Sequence, residues 1–83
     1  MYKLIYSDEV LKQLKKLDNI LRKRVIATLE RMRFRPHSYT KKLVGCPYFS
    51  LRVGDHRIIL DIQDNKLVIF VIELGHRRNI YKK

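Results

Sequence analysis

The residues best suited to chemistry close the chain: Gly75-His76-Arg77-Arg78-Asn79-Ile80-Tyr81-Lys82-Lys83. They follow an apolar, strand-like run from Leu67 to Leu74. The segment carries four fixed cations, one imidazole, one phenol and no carboxylate. Guanidinium stays charged at working pH and can grip two oxygens of one phosphate. A phenol placed among arginines gives up its proton more readily than a free one. Such a set suits holding a phosphodiester while a proton moves beside it. Imidazole titrates near neutral pH, so His76 is a candidate proton relay.

RNA can be cut without a metal when its own 2′-hydroxyl attacks the neighbouring phosphorus. The reaction needs in-line geometry, a base for the 2′-hydroxyl, an acid for the departing 5′-oxygen, and cations for the charge that builds on phosphorus. Arg57 and Arg77 suit the cationic role, and Arg52 is a third candidate. No carboxylate stands out as the base. No spacing of His, Cys, Asp or Glu suggests a metal site, and no cofactor is expected. Cys46, between Gly45 and Pro47, reads as a small loop or core residue. His37 lies in a loop with no partner evident.

These groups need a scaffold. Tyr2–Tyr6 reads as a first strand. Ser7 can cap a helix from Asp8 to about Lys16, with Asp8 and Glu9 favourably placed in its first turn. Its apolar stripe is Val10, Leu11, Leu14 and Leu17. Asp18 can cap a second helix over residues 19–35, ended by Pro36, with a stripe of Ile20, Leu21, Val25, Leu29 and Met32. The short link between the two implies a helical hairpin. Residues 36–47 read as a basic loop holding Lys41 and Lys42. Strands follow near residues 48–53, 56–62 and 66–74, the last apolar on both faces and therefore central. The expected fold is α+β, one small domain over residues 1–83. An N-terminal strand and an antiparallel helical hairpin pack on a mainly antiparallel sheet, in the order β-α-α-β-β-β.

Register decides which side chains meet. A two-residue turn at Gly54-Asp55 sets Leu51 opposite Ile58 and Phe49 opposite Leu60, on one apolar face. The other face then brings Arg52 opposite Arg57. Like charges in that position are destabilising, by about a few tenths of a kcal/mol when solvated, and make sense if an anion binds between them. A second tight turn at Asp64-Asn65 puts Ile72 beside Arg57, with Ile59 and Phe70 behind. The expectation is a partly apolar concave floor with a basic rim, extended by Arg77, Arg78 and Tyr81. The same register pairs Glu73 with His56 on the helix-facing side, as structural residues.

Composition narrows the class. In 83 residues, 19 Lys and Arg stand against 8 Asp and Glu, a formal charge of +11. So large an excess in so short a chain points to nucleic acid or an acidic protein partner. Lys41, Lys42, Arg78, Lys82, Lys83, Arg31 and Arg33 are the candidate RNA contacts. Some 6–10 phosphate contacts would cost about 10³–10⁵ in affinity between 50 and 200 mM salt. The single Cys46 excludes an internal disulfide and suits a reducing cytoplasm. No apolar run reaches the roughly 18–20 residues of a membrane helix, and residues 1–6 are too short for a signal peptide.

The chain resembles the RelE/ParE toxin superfamily of toxin–antitoxin systems. The resemblance rests on the element order, on Lys42-Leu43-Val44-Gly45 ahead of the sheet, on Tyr48-Phe49-Ser50-Leu51-Arg52-Val53-Gly54-Asp55-His56-Arg57-Ile58-Ile59, and on Gly75-His76-Arg77-Arg78-Asn79-Ile80-Tyr81. It implies one of two activities: ribosome-dependent cleavage of mRNA in the A site, as in the RelE branch, or inhibition of DNA gyrase, as in the ParE branch. By position, Arg57 and Arg77 match arginines that hold the scissile phosphate. Tyr81 matches a tyrosine that stacks on or assists the reacting nucleotide, which ranks it above His76. Ser50 stands where the family has a lysine. The implied partners are the ribosome, mRNA and a cognate acidic antitoxin in a hetero-oligomer, with no membrane. A non-catalytic RNA- or ribosome-binding module is the third reading.

Overall fold

The structure, a computed structural model, describes residues 1–76. Its elements run β1 (Lys3–Tyr6), α1 (Asp8–Lys15), α2 (Asn19–Met32), α3 (Pro36–Tyr39), β2 (Lys41–Lys42), β3 (Phe49–Val53), β4 (His56–Gln63) and β5 (Val68–His76). One five-stranded sheet has the order β1-β5-β4-β3-β2. β1 runs parallel to β5, and the other neighbours are antiparallel. The α+β class and the expected order therefore hold. Two elements are added, α3 and the short edge strand β2, inside what reads as a loop.

Both caps form as their residue types dictate. Ser7 Oγ accepts from Val10 N–H at 3.1 Å, and Asp18 Oδ1 accepts from Leu21 N–H at 2.8 Å. α2 stops at Met32, three residues short of the expected end. Arg35, which precedes Pro36, is already out of the helical region at φ −145°, as the proline ring demands. Pro36 then opens α3 at its first position.

The core lies between the helices and one face of the sheet. Val10, Leu14, Val25, Leu29 and Met32 meet Leu51, Val53, Ile58, Leu60, Ile62, Ile69, Val71 and Leu74. Leu17 and Leu21 pack at its margin. Two stripe residues fall outside it: Leu11 is 44% exposed and Ile20 is 83% exposed. Ile20 sits in the first turn of α2, beyond the end of the apolar seam.

The first hairpin has the expected register, with Arg52 opposite Arg57 and Val53 opposite His56. Gly54 takes φ +59°, a value that costs glycine nothing. The second hairpin differs. The link from Gln63 to Val68 spans four residues, not two, and Leu67 adopts φ +53°. Its carbonyl accepts from Lys3 N–H at 2.8 Å, which ties the loop to β1. The longer link makes Ile62 face Ile69. A β-bulge then follows: Leu60 lies opposite Val71, but Ile59 lies opposite Glu73, leaving Ile72 as the extra residue. Arg57 consequently faces Gly75 instead of Ile72, and His56 faces His76 instead of Glu73.

Gln13 of α1 and its N-cap residue Ser7 hold that bulge. β1 ends at Tyr6, opposite Val71, so among the described residues β5 has no strand beside it from Ile72 onward on that edge. Ser7 continues the ladder by donating its N–H to Val71 O at 3.0 Å and its hydroxyl to Ile72 O at 2.9 Å. Gln13 Oε1 accepts from Leu74 N–H at 2.8 Å. Side chains thus satisfy edge groups that a longer β1 would have paired.

Candidate active site

The bulge determines what gathers on the open face of the sheet. Ile58, Leu60, Val71 and Leu74 point into the core. Ser50, Arg57, Ile59, Ile72 and Glu73 lie on the opposite side and floor a cavity of about 830 Å³. Its wall is the segment entering β3, contributing Lys41, Lys42, Leu43, Val44, Cys46 and Tyr48. β2 pairs with β3, Lys41 opposite Ser50 and Lys42 opposite Phe49, and so sets the two lysines at the rim. Leu43 N–H donates to Tyr48 O at 2.9 Å, closing the loop, and Gly45 turns it at φ +81°.

Arg57 is half-buried, and its cross-strand neighbour Gly75 has no side chain to compete for the space above the sheet. Ser50 is 6% exposed, the one buried polar residue among those described. Glu73 supplies the only carboxylate among the described residues of this lining. The cavity therefore combines three cations, one carboxylate, a phenol and an apolar floor of Ile59 and Ile72. A phosphodiester fits that chemistry: cations for its oxygens, an apolar and aromatic surface for a base or ribose.

The sequence-derived candidates divide clearly. Arg57, Lys41 and Lys42 come together in the cavity. Arg52 is opposite Arg57 in register but exposed, with Nε directed at Gly54 O, 3.5 Å away. His76 stands instead with His56, ring centroids 5.7 Å apart, in a second cavity of about 780 Å³ beside Asp18, Ile20, Leu21 and Arg24 at the start of α2. That places it off the Arg57 side of β5, a poor position for relaying a proton there. Arg33 is committed to structure, donating Nε to Tyr2 O and Nη1 to Glu30 Oε1, both at 2.8 Å. Arg31 is exposed in the last turn of α2. Arg77, Arg78, Tyr81, Lys82 and Lys83 lie outside the described residues.

Glu73, Tyr48 and Cys46 are lining residues that alternation along the strands does not reveal. Glu73 could have been found. Strict alternation from Ile69 and Val71 would bury its carboxylate in the core and expose Leu74. A bulge removes both faults at once.

The clear titration shifts belong to a different region. Tyr2 Oη donates to Asp64 Oδ1 at 2.7 Å, and His37 Nε2 meets the same oxygen at 2.8 Å. These hydrogen bonds, Tyr2 first, hold the Asp64 carboxyl below its ordinary range, while Asp64 pushes the Tyr2 phenol up. His37 also sets its ring edge-on to Phe49 at 5.1 Å. So His37, without an evident partner in the sequence, joins β1, α3 and the β4–β5 loop in one clasp. Burial, with Glu30 adding to it, raises the Tyr6 phenol.

A small α+β domain of this topology has known counterparts. The family model for the ParE toxin of type II toxin–antitoxin systems, parDE, matches residues 4–81. The chain belongs to the RelE/ParE toxin superfamily. It is 30% identical over 79 residues to the mRNA interferase toxin RelE of Escherichia coli strain K12, covering 92% of this chain and 83% of that protein. The isolated E. coli RelE toxin superposes with a TM-score of 0.80 at 26% identity, covering 98% of this chain and 92% of that one. In the intact E. coli RelBE toxin–antitoxin complex a chain matches with a TM-score of 0.79 at 26% identity, over 92% of this chain and 96% of the other.

Proposed function

We propose that this toxin is a ribosome-dependent endoribonuclease that cuts mRNA in the A site and is neutralised by an acidic antitoxin. The observation that carries the reading is Arg57, half-buried on the open sheet face with Lys41 and Lys42 at the rim of the same cavity. Likeness to an mRNA interferase supports the cleavage, and likeness to RelE in the RelBE complex supports the antitoxin. The formal charge of +11 favours an acidic partner.

In this mechanism Arg57 binds the scissile phosphate and stabilises the charge that develops on it, with Arg77 as the second guanidinium and Arg52 as a more distant cation. Tyr81 protonates the leaving 5′-oxygen or stacks on the reacting base. Lys41 and Lys42 hold neighbouring phosphates, and Arg31, Arg78, Lys82 and Lys83 add contacts to ribosomal RNA. A site with so many cations and so few proton carriers is weak alone, so the ribosome fixes the codon in line. The products are a 2′,3′-cyclic phosphate and a 5′-hydroxyl.

The family model, built on ParE, favours a second reading: inhibition of a topoisomerase without cleavage. One experiment separates the two. Purified protein is incubated with a defined message, with and without programmed ribosomes, and the ends are mapped. Ribosome-dependent cuts within A-site codons support the nuclease. Intact RNA together with blocked DNA supercoiling by gyrase supports the ParE-like reading.

A further inference from the structure

We propose that Glu73 is the general base of this site, held in place by Gln13. The assignment rests on the endoribonuclease reading above. Three observations carry it. Glu73 shares the cavity with Arg57 and is the only carboxylate among its described lining residues. It reaches that face only because Ile72 is bulged, which puts Glu73 opposite Ile59. On the same face Ile59 is two residues from Arg57, so Glu73 is the diagonal cross-strand neighbour of the phosphate-binding arginine. Such neighbours stand roughly 7–8 Å apart at Cα, and side chains this long can both reach a substrate group lying between them.

The chemistry is balanced as follows. With the phosphate on Arg57, a Glu73 oxygen accepts the proton of the 2′-hydroxyl. The 2′-oxygen forms its bond to phosphorus as the bond from phosphorus to the 5′-oxygen breaks. The 5′-oxygen takes a proton from the acid on the far side, the role for which Tyr81 is the candidate. The cyclic phosphate and 5′-hydroxyl leave with Glu73 protonated, and solvent removes that proton. The titratable groups facing Glu73 across the described cavity are Lys41 and Lys42 from β2, Cys46 and Tyr48 from the following loop, and Arg57 from β4. None of the others is a carboxylate.

Gln13 is a positioning residue. Its Oε1 accepts from Leu74 N–H, the peptide directly after Glu73, while Ser7 Oγ holds the carbonyl of Ile72, directly before it. Ser7 and α1 thus fix the backbone on both sides of the carboxylate.

The test is single-turnover cleavage on programmed ribosomes across pH, for wild type, Glu73→Gln, Gln13→Ala and Gln13→Glu, with ribosome affinity measured in parallel. Glu73→Gln keeps the shape of the side chain, and its melting curve checks the fold. The expected result is a rate about 10²–10⁴-fold lower at unchanged ribosome affinity. The wild-type rate should carry an ascending acid limb that Glu73→Gln lacks. Gln13→Ala should lower the rate without weakening ribosome binding, and Gln13→Glu, which keeps an acceptor for Leu74 N–H, should restore it. A Glu73→Gln protein that cuts like wild type, or that loses rate equally at every pH with the profile unchanged in shape, overturns the assignment alone. A wild-type protein that cuts no RNA overturns the nuclease reading and the assignment with it.

Discussion

Gln13 Oε1 lies 2.8 Å from the peptide nitrogen of Leu74, sixty-one residues away along the chain. A side chain from the first helix thereby does the work of a strand neighbour at the open end of β5. Gln13→Ala should leave a partly buried N–H without its acceptor, at a cost of about 1–3 kcal/mol. Urea denaturation measures the loss, and amide exchange at Leu74 should accelerate more than exchange at Ile69.

Arg57→Ala should cripple cleavage by about 10²–10³-fold while leaving the melting temperature nearly unchanged. Arg57→Lys should recover only part of the rate, since an ammonium cannot bind two phosphate oxygens in a planar fork. Parallel cleavage assays and thermal melts on both variants decide the matter.

Tyr81→Phe removes a hydroxyl and keeps a ring. Cleavage should slow by about 10²–10⁴-fold if the hydroxyl carries a proton, with ribosome binding intact. A wild-type rate would leave the residue a stacking role only.

Leu60 is fully buried at the centre of β4. Leu60→Ala should cost about 2–5 kcal/mol. Small domains have roughly 0.05–0.15 kcal/mol of stability per residue, so this loss is a large share of the total and should lower the melting temperature markedly. Circular dichroism against temperature tests this.

Stability against pH should follow the clasp and Tyr6. The folded state lowers the Asp64 carboxyl, so its contribution is complete above the unfolded carboxylate range and disappears as pH falls below about 4. Tyr2 and Tyr6 are raised, so theirs is complete below about pH 10 and disappears above it. Asp64→Asn should flatten the acid limb in pH-dependent melts and weaken the Tyr2 share of the alkaline limb, leaving the Tyr6 share in place. The effect should be small, because the group is 61% exposed.

The sequence spoke most clearly where periodicity or a cap spoke alone. Ser7 and Asp18 start helices, and Gly54-Asp55 sets the Arg52–Arg57 pair, because each follows from neighbours in the chain. The second hairpin depended on more distant partners. Leu67 in the left-handed region is tolerated because its carbonyl binds β1. The bulge depends on Ser7 and Gln13, which no reading of residues 64–76 alone includes. Hence Arg57, Lys41 and Lys42 stand out one by one, but their meeting in one cavity depends on β2, which reads as loop, and Glu73 reads onto the opposite side of the sheet. His76 adjoins Arg77 in sequence, yet it stands with His56 in the other cavity.

A strand is an alternating code of period two, and in that code the extra Ile72 is a frameshift. Odd positions Ile69 and Val71 point to the core; after the shift it is the even Leu74 that does. Any scan that sorts β5 positions into inner and outer by parity must therefore restart its count at Ile72. Deleting that one residue would leave the rest in step, because a regular run Val71-Glu73-Leu74 still turns the acid to the site and the leucine to the core, whereas straightening the strand with Ile72 retained would exchange the two.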